Sequence, residues 1–285
     1  MRYSLGYVFF VALWGVVLRL TALKLKNIPH ELLLFLIIFY TAFFFHIVNI
    51  KNIKSTYIKA WTINKFDLIL SIGLVTISLG GTLCMPLYFQ PSISSFAFIT
   101  ITTCYASFNI FLKNKHKRNL LIFIALLLEL VLFYAFHVGQ FTITKFMAMV
   151  GATLMIGSAG YAYMVISHRL HSENVTVNEF LMLRFWPLLI IFGAIVIIRG
   201  DLHMLSWSIM PNAILLAFMA LIFPVYLSQK GIEKAGPTIH GITIGLVPIL
   251  VYIFENLFLK INDHSMAIFA IGLAVIIAIQ KLIAK

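Results

Sequence analysis

The segment 119–137, NLLIFIALLLELVLFYAFH, carries a single charged side chain, that of Glu129. A helix needs about 20 mostly apolar residues to cross the hydrocarbon core of a bilayer. Windows of this kind recur along the whole chain of 285 residues. The sequence therefore predicts an all-α integral membrane protein with ten transmembrane helices, at about residues 4–23, 31–50, 67–87, 93–112, 119–137, 143–166, 178–198, 208–228, 237–258 and 265–283.

The composition of the chain excludes a soluble protein. Apolar residues make up 62% of it and charged residues 11%, whereas soluble domains are about half apolar and one quarter charged. The 21 Lys and Arg exceed the nine acidic residues and give a net charge of +12. Because these cations lie between hydrophobic runs and are not interleaved with base-stacking aromatic residues, we expect no nucleic-acid partner.

The basic residues predict the orientation instead. With the N-terminus inside, the inner segments hold 14 Lys and Arg, the outer connections hold five, and two more lie within spans. Cytoplasmic loops of membrane proteins are enriched in these residues. We therefore expect a multi-pass protein of the cytoplasmic membrane with both termini in the cytoplasm. The N-terminal run is expected to remain as the first helix, because no small-residue cleavage site follows it.

Two halves of the chain resemble each other. The segment YASFNIFLK at 105–113 matches YIFENLFLK at 252–260 in five of nine positions. The two segments are 147 residues apart, about half the length of the chain, and this offset predicts one five-helix repeat at 1–139 and a second at 140–285. Because five is an odd number, the two repeats enter the membrane with opposite orientations, and such inverted-topology repeats are frequent in secondary transporters.

Four short motifs add a family resemblance: Ala12-Leu-Trp14-Gly15, Leu183-Arg184-Phe185, Pro248, and Gly272-Leu-Ala-Val-Ile-Ile. In their order and spacing they resemble the drug/metabolite transporter superfamily, and within it the ten-helix EamA-like transporters. The resemblance implies a carrier for small metabolites, with a cavity lined mainly by helices one to four and six to nine.

The chain departs from the pattern of that family in two places. Asn262-Asp263 stands where the family often has Gly-Glu, and Leu36 stands where an Arg is common. The resemblance therefore does not name a substrate.

Charged side chains inside the spans are candidates for coupling or gating, because charge at the bilayer centre is costly. Glu129 lies about ten residues into the fifth helix and is either a proton-coupling carboxyl group or a buried packing group. Arg184 is either a gate or anion site, or a side chain that snorkels to the headgroups. Arg19 is expected to pair with Glu255 and to close an outer gate.

The ninth helix has a candidate substrate-facing stripe. Gly241, Gly245, Pro248, Tyr252 and Glu255 follow one another in steps of four, three, four and three, so they share one face. This face either lines the cavity or suits close helix packing.

Aromatic and amide side chains complete the candidate substrate site. Trp14, Tyr105, Tyr163 and Tyr252 are expected to form an aromatic box for an organic cation or the apolar body of an amino acid. Asn109 and Asn256, which the repeat relates, are candidate hydrogen-bonding residues, with interhelical packing as the alternative.

These residues predict a secondary transporter that moves amino acids, amines or related solutes by alternating access, in the export direction, with proton coupling left open. The alternative is a flippase for a lipid-linked substrate. An enzyme is disfavoured because the His-Glu-x-x-His and Gly-x-Ser-x-Gly motifs are absent from the sequence. We expect no cofactor and no metal, the solute and membrane lipids as partners, and a monomer or homodimer.

Overall fold

The computed structural model describes residues 1–24, 28–62, 64–207, 209–261 and 263–283. Helices dominate these residues, and no strand occurs among them. In chain order the α-helices are α1 (Arg2–Lys24), α2 (His30–Val48), α3 (Ile53–Thr62), α4 (Lys65–Tyr88), α5 (Pro91–Asn114), α6 (Lys117–His137), α7 (Ile143–Ser172), α8 (Val177–Arg184), α9 (Trp186–Arg199), α10 (Met210–Leu216), α11 (Phe223–Ile244), α12 (Val247–Phe254) and α13 (His264–Ile283). Asn262, one of the two residues that stand where the family often has Gly-Glu, lies outside the described residues.

The multi-pass architecture is confirmed. Within the described residues, eight helical segments are long and apolar enough to cross a membrane. They are Arg2–Thr21, His30–Val48, Lys65–Tyr88, Pro91–Asn114, Lys117–Gln140, Ile143–Ser172, Val177–Arg199 and Met210–Ile244. Two shorter apolar helices, Val247–Leu259 and His264–Gln280, complete the series. The total of ten spans therefore stays a prediction.

The predicted connection between residues 228 and 237 is present but shorter than expected. The helix that begins at Phe223 runs through most of this polar stretch as far as Gly236, whose φ of 78° and ψ of 163° are not helical, and a second helical segment follows from Pro237, where the ninth span was predicted to begin. Glycine adopts a positive φ without the steric cost that a Cβ brings, and Pro237 follows it at a position where its ring restricts the preceding residue to extended conformations. The chain turns back on itself at Gly236: Ser228 and His240 are twelve residues apart, which a straight helix would separate by about 18 Å, yet their side chains come within 3.2 Å of each other.

A second interruption separates α8 from α9 at Phe185. Pro187, in the first turn of α9, has no backbone N–H. The carbonyl group of Leu183 therefore receives no helical hydrogen bond from it. Interrupted helices inside a membrane bundle are typical of transporter sites.

Helix packing follows a regular pattern. Helix α1 packs against α11 and α12, and α7 packs against α4 and α5. Helices α6 and α13 lie side by side at the edge of this group. In the predicted series of spans, α1 is the first span and packs against the eighth and ninth. Five spans later, α7 is the sixth span and packs against the third and fourth. Each contact of one half therefore has a counterpart in the other, as two repeats require. The repeat itself stays a prediction.

Candidate functional site

A small cavity lies between α1, α4, α5 and α12, with a volume of about 20 Å³. Its wall includes Trp14 from α1, Ser94 and Ser95 from α5, and Val251 from α12. A space of this size holds about one water molecule. A metabolite therefore fits only if these helices move apart.

Arg184 lies at the end of α8 and is only 2% exposed. Its Nη1 donates a hydrogen bond to the hydroxyl oxygen of Tyr163, and Gln229 donates a second one to the same oxygen. The ring centre of Phe185 is 5.0 Å from the guanidinium carbon, within cation–π range. The guanidinium group is thus enclosed by the bundle, and the alternative in which it snorkels to the headgroups is wrong.

Further polar groups lie next to this arginine or next to Tyr7, which interacts with it. The amide oxygen of Gln229 accepts a hydrogen bond of 2.7 Å from the hydroxyl group of Ser167. Fully buried His240 has its ring nitrogens 3.0 Å from Ser4 Oγ and 3.2 Å from Ser228 Oγ. Its ring centre is 5.3 Å from that of Tyr7. We call this set the arginine layer; its members are Tyr7, Tyr163, Arg184, Gln229 and His240.

The arginine layer and the cavity lie on the same faces of two helices. On α1, Tyr7, Val11 and Trp14 are spaced by four and three residues, and Val11 and Trp14 line the cavity. Beyond the bend in α11, His240 precedes Val247 and Val251 by seven and eleven residues, and both valines line the cavity. Since these spacings repeat the helical period, the layer and the cavity lie in line along the same helix faces, and we call this line through the bundle the path.

The opposite end of the path holds Glu255, whose carboxyl group is fully buried. It contacts Gln90 at 3.5 Å and accepts hydrogen bonds from the backbone and the hydroxyl group of Ser92. Ser92 is the second residue of α5, so the carboxyl group lies at the positive end of that helix dipole. Glu255 thus links α5 to the segment that follows α12.

The predicted Arg19–Glu255 pair is wrong. The Nη1 of Arg19 donates to the backbone oxygen of Leu87 at 2.7 Å, at the C-terminal end of α4. Arg19 therefore satisfies an end carbonyl that α4 leaves without a helical donor. Both charged residues do lie at the same end of the bundle, but each contacts the end of a different helix.

The predicted stripe on the ninth helix packs against its neighbours. A Cβ on Gly241 would lie 3.0 Å from that of Ala106, and one on Gly245 would lie 3.0 Å from the hydroxyl oxygen of Thr103. Pro248 is buried but does not line the cavity. The close-packing alternative therefore holds for this part of the stripe. The next face around the helix, with Val247 and Val251, lines the cavity.

The predicted aromatic box is not formed. Trp14 lines the cavity and Tyr163 lies in the arginine layer, but Tyr105 is 44% exposed on the outside of the bundle. It stacks on Tyr161 at 5.9 Å. Tyr252 is half-buried outside the cavity wall, as is Asn256, and both make contacts with other groups.

Asn109 faces a different space. Its amide group donates hydrogen bonds to Tyr161 at 2.8 Å and Thr238 at 3.0 Å. It lines an open cleft of about 620 Å³ whose wall also includes Lys113 and Gly236. This end of the bundle, which also presents His168 and Arg169 to the cleft, is called the basic end below.

Glu129 lies away from the path. It sits between α6 and α13, against Gly272, whose missing side chain leaves room for the carboxyl group. The backbone of Leu273 donates a hydrogen bond to it. This position agrees with the packing alternative. Among the described residues, no three His, Cys, Asp or Glu side chains come together in a way that would hold a metal ion.

Three members of the arginine layer were not predicted as site residues from the sequence. Gln229 lies next to Lys230 in the stretch expected to form a loop, and Tyr7 is one of many aromatic residues. His240 is one position away from the glycine and proline stripe. Its seven-residue spacing from Val247 is the only signal in the sequence that connects it to the cavity face.

Comparison with known proteins identifies the second half of the chain. Residues 147–280 match the model of the EamA-like transporter family. A search of curated proteins found no match to this chain. The match runs from α7 into α13 and includes Tyr163, Arg184, Gln229 and His240 of the arginine layer.

Proposed function

Since residues 147–280 form an EamA-like transporter domain, we propose that the protein is a secondary carrier for a small metabolite that works by alternating access in the cytoplasmic membrane. The observation that carries the proposal is the path through the bundle. It has a small cavity beside Trp14, the arginine layer at the basic end, and Glu255 at the opposite end. A carrier needs a site that is closed on both sides at some stage of its cycle, and this arrangement provides one.

The helix packing supports a rocking motion. The contacts of α1 with α11 and α12 have counterparts in those of α7 with α4 and α5. Two halves of this kind, 1–139 and 140–285, can exchange which end of the bundle is open without a change in their internal structure. The interruption at Phe185 directly follows Arg184 of the arginine layer and is the proposed hinge.

Glu255 is the proposed coupling or gating residue. One of its oxygens, Oε1, has no hydrogen-bond partner, and the carboxyl group contacts the start of α5 through Ser92. A carboxyl group that alternates between a dry and a wet environment can bind and release a proton once per cycle. We propose export as the direction, and amino acids, amines or related metabolites as the solutes.

The first test is a thermal-shift screen of the purified protein against amino acids, polyamines, nucleotides and lipids at two pH values, because a ligand of the folded state raises the melting temperature. Soluble hits then enter a counterflow assay in liposomes. We expect saturable counterflow for one soluble class, reduced at least tenfold in Trp14→Phe and unchanged in Tyr105→Phe. If soluble ligands stabilise the protein but none of them gives counterflow, the carrier function is refuted.

A flippase remains the second candidate, because one observation favours it. An apolar groove of about 270 Å³ opens between α5 and α6, lined by Tyr105, Phe108, Phe123 and Leu130 among others. A groove of this kind suits an acyl chain. The same screen separates the two functions, since stabilisation by lipids alone, with lipid movement lost in Phe108→Ser and retained in Trp14→Phe, would favour the flippase.

A further inference from the structure

The charge of Arg184 has no carboxylate partner in the part of the chain that the structure describes. The ion pairs found there use other cations: Lys59–Glu179, Arg169–Asp67, Arg199–Glu31 and Lys230–Glu233. Glu255 contacts Gln90 and Ser92, and Glu129 contacts α13. A buried and unpaired cation is strongly unfavourable unless something else compensates it.

The arginine layer also has more hydrogen-bond donors than acceptors. A guanidinium group has five N–H donors and no acceptor, and the Nε of Arg184 has no partner. The hydroxyl oxygen of Tyr163 already accepts from both Arg184 and Gln229. The amide oxygen of Gln229 is occupied by Ser167 at 2.7 Å and lies 3.0 Å from the ring of His171. An added acceptor with negative charge would satisfy both deficits.

The cleft of about 620 Å³ at the basic end contributes a further cation. Lys113 lines it and is in none of the four ion pairs above, whereas Arg169 in the same wall pairs with Asp67 at 3.0 Å. A cation in a cleft raises the local concentration of anionic solutes. From Tyr7 in the arginine layer to Trp14 in the cavity wall the path along α1 is about 10 Å long, which is the length of a small metabolite.

We propose that the transported solute is an organic anion and that the guanidinium group of Arg184 binds its oxyanion group, a carboxylate or a phosphate. Arginine binds both groups through paired N–H donors. The remainder of the solute lies along the path toward Trp14. Tyr163 is a positioning residue, because its hydroxyl group holds one edge of the guanidinium group in place. This inference rests on the proposed carrier function and narrows its substrate class to anions and zwitterions.

The wild-type protein gives the first test without any substitution. Matched pairs that differ only at the acidic group are compared by thermal shift and by counterflow in liposomes: benzoate with benzamide, succinate with succinamide, leucine with leucinamide, and phenyl phosphate with phenol. We expect stabilisation and counterflow by at least one acid and at least tenfold weaker binding of the partner that lacks its acidic group. The pairs also distinguish carboxylates from phosphate esters. Equal binding of an acid and of the partner that lacks its acidic group would overturn the proposal.

Substitution gives the second test. For the acid identified above, Arg184→Gln should weaken binding at least tenfold and Arg184→Lys should weaken it less, because Lys keeps the charge and loses the paired donors. Tyr163→Phe should raise KM more than it lowers the maximal rate. Arg199→Gln is the matched control, since Arg199 is exposed and pairs with Glu31 at 2.7 Å. Unchanged KM in Arg184→Gln would overturn the proposal.

The outcomes also separate this inference from the carrier function. Saturable counterflow of an amine or a neutral solute, with the same KM in the wild type and in Arg184→Gln, would leave the carrier function intact and refute the anion site. Binding of an acid that depends on Arg184 but gives no counterflow would support the anion site and refute the carrier function.

Discussion

Substitution of Gly157 by Ala tests how closely α7 and α5 must approach. A Cβ at this position would lie 2.6 Å from the backbone oxygen of Phe98 and 2.7 Å from the Cβ of Ile101. The nearest comfortable separation is about 3.5 Å, so the two helices must separate by close to 1 Å. Neither neighbouring atom is the end of a flexible side chain, and rotamer changes therefore cannot relieve the contact.

The magnitude follows from two opposing contributions. Overpacking a well-packed interior costs about 1–3 kcal/mol, and the replacement of a helical Gly by Ala gains about 0.5–1 kcal/mol. The net loss is therefore up to about 2.5 kcal/mol, which lowers the melting temperature of a chain of this size by up to about 10 °C. The separation also weakens the hydrogen bond of 3.1 Å from Thr102 to the carbonyl oxygen of Gly157.

Gly151 provides the matched control, because it lies on the same helix and an added Cβ would meet nothing within 4 Å. The assay is the melting temperature of the purified protein in one detergent, followed by near-ultraviolet circular dichroism. We expect Gly151→Ala to leave the melting temperature unchanged or to raise it. Equal melting temperatures for the two variants would refute the close approach of α5 and α7.

Two further predictions concern the path. Glu255→Gln should reduce transport more severely than Glu129→Gln, because Glu255 contacts the start of α5 at the end of the path, whereas Glu129 lies between α6 and α13. Near-normal transport rates for both variants in the liposome assay would exclude a coupling role for either carboxyl group. Trp14→Ala should reduce binding of the solute at least tenfold, measured by thermal shift, while Tyr105→Ala should not change it. The reverse order would move the site to the groove between α5 and α6.

The number and position of apolar windows predict most of the helices, because the length of a span is set by the thickness of the bilayer. The prediction ends the eighth span too early, because four polar or charged residues in six around Gln229 indicate a loop. The helix continues there, and Lys230 pairs with Glu233 at 2.9 Å one turn along the same face. The connection to the next segment is the short turn at Gly236, which has a positive φ.

The site was harder to predict than the helices because glycine has two uses in a membrane helix. From the sequence alone, Gly241 and Gly245 are equally expected at a cavity and at a helix contact. They allow α5 and α13 to approach closely, whereas the bulkier Val247 and Val251 line the cavity. Small residues favour contact between helices in lipid, where backbone proximity replaces the hydrophobic effect as the source of stability. The bulkier side chains of Val247 and Val251 do not allow so close a contact, and the space left between the helices is the cavity.

Arg184 illustrates a second limit on inference from sequence. Helix α8 begins with a capping box formed by Thr176 and Glu179, and Arg184 lies only about 12 Å further along the helix axis. That short distance from the interface suggests that the side chain reaches water. The suggestion is correct only when the helix lies at the edge of a bundle. Helix α8 lies against α11, and Tyr163 of α7 meets the guanidinium group from the other side. What decides the environment of an intramembrane charge is therefore the set of neighbouring helices, and its depth along its own helix does not fix that set.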